Sequence, residues 1–156
     1  MSDEGRRPQT QGALDARRLQ RRDSHAAQTY AAFLKDLCRI GSMAPEFAEQ
    51  AAVSVLWALE QRLIPDEAKD LEAQLPIQLT NLLACCNRPM TSRPEKYTRQ
   101  ELLETVGRDL NMQPDEVEPI VRAVFTTVRE HVSEGEVEDV VNMLPHEMRD
   151  LWQRPI

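Results

Sequence analysis

The chain has 156 residues and a formal net charge of −7, and 41% of its residues are hydrophobic although only 4% are aromatic. These values fit one medium-sized domain or two small ones around an aliphatic core, and the scarcity of alternating apolar residues argues against a sandwich, a barrel or a Rossmann sheet. The sequence contains no apolar run of membrane-spanning length, no visible signal peptide and only three cysteines, too few for a disulfide framework. We therefore expect a cytoplasmic protein.

The first 22 residues differ in composition from the rest of the chain. Residues 1–22 are rich in arginine, glutamine and aspartate and have no sustained apolar face, which predicts a disordered tail. The acidic charge lies further on, because residues 30–83 carry a net charge of −4 and residues 99–152 one of −8. Since such a body repels phosphate backbones, we expect no nucleic-acid partner.

Residues 23–86 predict a first helical repeat of four helices. Pro45 and Pro65 suit the first turn of a helix, where a missing backbone N–H costs nothing. Pro76 ends one helix and begins another, because the residue before a proline avoids helical geometry. Residues 87–97 contain prolines and no apolar period, so we interpret them as a linker.

Residues 98–156 predict a second helical repeat with the same plan. Thr98 opens a capping box, and Pro114 begins a long helix with a broad apolar stripe. Asn111 suits the turn between these two helices, and Ser133 opens a second capping box.

The two repeats match each other along their length. Shifted by 69 residues, the first repeat aligns with the second without a gap and with eleven identical positions, against about three expected by chance. Apolar positions such as Leu59 and Val128 also match, so both halves are predicted to bury the same positions, while their neighbours Glu60 and Arg129 are expected to point to water. The predicted fold class is all-α, with two pseudo-repeated four-helix units, about eight helices, and a disordered N-terminal tail.

Two of the matched segments are more specific than a general helical pattern. The segments EAKDLEAQLP (67–76) and EVEDVVNMLP (136–145), with the helices before them, resemble bacterial domain-of-unknown-function family 2267 as a tandem pair. The resemblance covers residues 30–83 and 98–152. It implies a small all-helical fold, and it implies no activity.

Repeated acids are the obvious candidates for acid–base catalysis or metal binding. Glu67 and Asp70 match Glu136 and Asp139, and a Glu followed three residues later by an Asp lies on one helix face. No histidine follows at the spacing that dimetal bundles need, and both glutamates fall in a first helical turn, where capping and solvation explain them. We therefore expect no catalytic, cofactor-binding or metal-binding residue, and no enzyme.

Cysteine and histidine offer weaker signals. Cys85 and Cys86 could bind a soft metal or form a vicinal disulfide, although burial as small apolar residues is the simpler interpretation. His131 aligns with Arg62 and is expected at the surface.

Two functions from different classes stay open. The first is a non-enzymatic helical adaptor that binds a protein partner or self-associates through a groove beside the Leu–Pro corners. Its candidate partner-binding residues are Leu75, Pro76, Leu79, Leu144, Pro145, Met148 and Trp152. The alternative is a small-ligand or metal-binding sensor with a pocket between the repeats. A sensor needs a polar residue that faces inward in both repeats, and Arg39 and Arg108 are the candidates.

Overall fold

A computed structural model describes residues 29–85 and 98–153 of the chain. The predictions of a tail at 1–22 and a linker at 87–97 lie outside these residues. The described ranges form eight helices and no strand, which confirms the all-α fold class. The helices are α1 (29–41), α2 (Pro45–Glu60), α3 (Pro65–Gln74), α4 (Ile77–Cys85), α5 (Arg99–Leu110), α6 (Pro114–His131), α7 (Glu134–Met143) and α8 (His146–Gln153).

Helix starts follow the local sequence signals. Pro45, Pro65 and Pro114 each occupy the first helical turn, as predicted. The Thr98 side chain accepts a hydrogen bond from the backbone N–H of Glu101, whose carboxylate accepts one from the Thr98 N–H in return. Two otherwise unpaired backbone donors are satisfied in this way, which fixes where α5 begins.

The two halves of the chain repeat each other in structure. The helices α2 and α6, and likewise α3 and α7, begin 69 residues apart. One contact between the first and second helices also recurs at matched positions: the Tyr30 hydroxyl donates to Glu49 in the first half, and the Arg99 guanidinium pairs with Glu118 in the second. The same helix pairs therefore meet at the same positions in both halves.

One continuous hydrophobic core joins the halves. The helix α2 packs against α5 and α6, α6 packs against α8, and α3 packs against α7. The core is aliphatic except for a few rings, such as Phe125 and Trp152, whose centroids lie 5.2 Å apart in an edge-to-face arrangement. None of the described helices combines the length and apolarity needed to cross a membrane.

Candidate functional site

Four carboxylates meet where α3 of the first half packs against α7 of the second. Glu67 and Asp70 lie on α3, and Glu136 and Asp139 lie on α7. One oxygen each from Glu67, Glu136 and Asp139 lies within 4.8 Å of the other two. Asp70 is near enough for its charge to act on Glu136. We call these four residues the carboxylate cluster.

The two glutamates of the cluster are buried and the two aspartates are exposed. Glu67 is 7% exposed and Glu136 is 5% exposed. One carboxyl oxygen of each, Oε1, is buried without a hydrogen-bond partner. None of the ion pairs among the described residues includes either glutamate. The cluster thus has a dry, negatively charged interior and a solvent-facing rim formed by Asp70 and Asp139.

The sequence-based explanation of these glutamates was wrong. The backbone N–H of Glu136 does donate to Ser133 Oγ at 3.2 Å, but the Glu136 carboxylate does not return to the cap. Gln74 of α3 accepts from the Ser133 N–H instead, at 2.7 Å. Glu67 follows an N-cap that makes no side-chain hydrogen bond. Because both side chains are buried between helices, neither capping nor solvation accounts for them.

The buried carboxylates are electrostatically strained. Burial raises the pKa of Glu136 to about 8, aided by a hydrogen bond with Glu67 and by the charges of Glu67, Asp139 and Asp70. A carboxyl group that loses water must gain a proton, a hydrogen-bond donor or a cation in exchange. In the ligand-free protein, a proton held by the Glu67–Glu136 pair serves this purpose.

A sequence signal for this burial exists. Glu67 lies one helical turn before Leu71, and Glu136 lies one turn before Val140, and both apolar residues are fully buried. Residues four positions apart share a helix face, so each glutamate belongs to a core-facing stripe. Which helix covers that stripe depends on tertiary packing.

The candidate inward-facing arginines do not face inward. The Arg39 side chain is 67% exposed and forms a long ion pair with Asp36 at 3.8 Å, and Arg108 is exposed. The repeated polar pair that does face inward, as a sensor between the repeats requires, is Glu67 with Glu136.

The candidate partner-binding residues lie almost entirely inside the core. Those with buried side chains are Leu75, Pro76, Leu79, Leu144, Met148 and Trp152, and Pro145 is half-buried. The large hydrophobic residues exposed in the described part of the chain are Ile64 and Ile77. Isolated exposed residues of this kind are common on proteins without partners. The adaptor interpretation of the Leu–Pro corners therefore stays a prediction.

Other expectations for single residues fare unequally. Cys85 is a free, exposed thiol rather than a buried one, and Cys86 lies outside the described residues. His131 is half-buried rather than exposed, and its Nε2 lies 2.8 Å from an Asp36 carboxylate oxygen. Arg129, expected in water, is half-buried, and burial lowers the pKa of its guanidinium.

Comparison with known proteins bears on the family alone. No curated protein matches the chain. The model of a family described as "Uncharacterized conserved protein (DUF2267)" matches residues 30–151. That range spans both halves of the fold and the whole carboxylate cluster, and the chain belongs to this family.

Proposed function

We propose that this protein is a helical cation sensor that binds a divalent metal ion at the carboxylate cluster. The observation that carries the proposal is the buried, unpartnered oxygen that Glu67 and Glu136 each hold between α3 and α7. It develops the sensor alternative of the sequence analysis, and it replaces the expectation that these residues bind no metal, which rested on capping.

The donor set selects the class of ion. All four side chains offer carboxylate oxygens, and none offers nitrogen or sulfur. Hard cations such as Ca²⁺, Mg²⁺ and Mn²⁺ prefer oxygen ligands, whereas Zn²⁺ and copper favour histidine and cysteine. Three of the carboxylates already lie close enough together to share one ion, and water can complete its coordination at the aspartate rim.

The position of the cluster explains how binding acts on the fold. Glu67 and Asp70 belong to the first half and Glu136 and Asp139 to the second, so one ion would be shared by both halves. The ion replaces the proton held by the glutamate pair and relieves repulsion across the contact between α3 and α7. A ligand that binds the folded chain alone raises its stability in proportion to the logarithm of its concentration.

Calorimetric titration of chelator-treated, tag-free protein with Mn²⁺, Ca²⁺ or Mg²⁺ tests the proposal. We expect one ion per chain and a rise in the midpoint of thermal unfolding. The double variant Glu67→Gln/Glu136→Gln should lose both effects while remaining folded, because neutral amides can replace the protonated pair.

A matched variant separates the cluster from general negative charge. Asp66→Asn/Glu138→Gln removes one exposed acid from each of the same two helices and should bind the ion as the wild type does. The proposal fails if the wild type binds none of the three ions, or if the Glu67→Gln/Glu136→Gln variant binds them equally well.

A further inference from the structure

A groove on a different part of the molecule lies where α2 and α4 of the first half meet α5 of the second. It has a volume of about 410 Å³, which is within the range of small-molecule sites. Its lining includes Glu49, Val53, Ser54, Leu82, Asp109 and Leu110. It shares no lining residue with the carboxylate cluster.

Hydroxyl groups orient both acids of this groove. The Tyr30 hydroxyl donates to Glu49 Oε1. The Ser54 hydroxyl donates to Asp109 Oδ2 at 2.6 Å, and Ser54 itself is 2% exposed. Asp109 of the second half is therefore held by a buried group of the first half. The two carboxylates are positioned, and not merely present on the surface.

Charge and apolar surface together define what fits. Among the described lining residues, those with a formal charge at neutral pH are Glu49 and Asp109, both negative. Val53, Leu82 and Leu110 supply aliphatic walls. A bare metal ion would leave these walls unused, and an anion would be repelled.

We propose that this groove binds a small organic cation, an alkylammonium whose charged head pairs with Glu49 and Asp109. Its aliphatic part lies against Val53, Leu82 and Leu110. Charge-assisted hydrogen bonds from an ammonium group to carboxylates are among the stronger polar contacts in proteins, and burial of the alkyl chain adds an apolar contribution. This proposal is independent of the metal site.

Three probes of equal chain length but different charge test the inference. Pentylamine, pentanol and pentanoate are titrated into the full chain, and amide chemical shifts are followed by NMR. We expect saturable shifts at the groove residues with pentylamine, much weaker shifts with pentanol and none with pentanoate. Added salt should weaken the binding of pentylamine, because it screens the ion pairs.

Variants identify the residues responsible. Glu49→Gln/Asp109→Asn keeps the acceptors for Tyr30 and Ser54 but removes both charges, and it should weaken pentylamine binding by about tenfold. The Glu67→Gln/Glu136→Gln variant should bind pentylamine unchanged. The inference is overturned if pentylamine gives no saturable shifts, if pentanol binds as well, or if the groove variant binds pentylamine with wild-type affinity.

Discussion

At the scale of single residues, Glu60 shows how a buried acid makes stability depend on pH. It lies half-buried at the end of α2 and not in water as expected, and its Oε2 has no hydrogen-bond partner. Burial, with the charge and hydrogen bond of Glu72, raises its pKa from 4.5 to about 8. Between these values the folded chain holds a proton that the unfolded chain has released. The free energy of unfolding therefore falls as the pH rises through this window.

Glu60→Gln should remove this part of the pH dependence, because an amide does not ionise yet can still donate to Glu72. We expect the variant to match the wild type near about pH 5 and to be more stable near about pH 9. Urea unfolding across the range measures the difference. Glu104→Gln, which removes an exposed acid from α5, is the control for net charge. Parallel pH curves for wild type and Glu60→Gln would contradict the prediction.

The acids also show where sequence reasoning stops at this scale. The repeat singled out Glu67 and Glu136 as candidates, and their spacing to Leu71 and Val140 places them on buried faces. Their mutual approach depends on α3 packing against α7. That packing joins segments far apart in the chain, so the local pattern favoured capping over a shared site.

At the scale of helices, the first helix of each half ends in the same unusual backbone conformation. Ser42 and Asn111 occupy matched positions, and they are the non-glycine residues with positive φ in the described ranges, at 54° and 59°. Asparagine tolerates this left-handed region, so the sequence predicted the turn at Asn111. Serine carries no such signal, and Ser42 could have been found only through its alignment with Asn111.

Asn111→Ala should destabilise the protein by about 1 kcal/mol, because alanine pays the full steric cost of the left-handed conformation. Asn111→Gly should be tolerated better, since glycine has no Cβ to clash. Asn142→Ala, in the exposed interior of α7, is the matched control and should be neutral or slightly stabilising. Urea unfolding of the three variants measures these differences. A loss in Asn142→Ala as large as that in Asn111→Ala would refute the turn argument.

At the scale of the whole molecule, the repeat predicted which positions are buried but not how the halves pack. Leu59 and Val128 are both fully buried at matched positions, as predicted. Their helices α2 and α6 also contact each other, so the halves share one core. No local signal in the sequence specifies this contact, because helix pairing is decided by shape and apolar area across distant segments.

A shared core predicts that damage to either half destabilises the whole. Leu59→Ala should cost about 2–5 kcal/mol, and Val128→Ala should cost less because fewer atoms are removed. In each variant, probes in both halves should report one cooperative transition with a single midpoint. Lys69→Ala and Glu138→Ala change a matched pair of exposed residues and should stay within about 0.5 kcal/mol of the wild type. If Leu59→Ala instead melts the first half while the second keeps its midpoint, the halves fold independently, and the contact between α2 and α6 contributes little to stability.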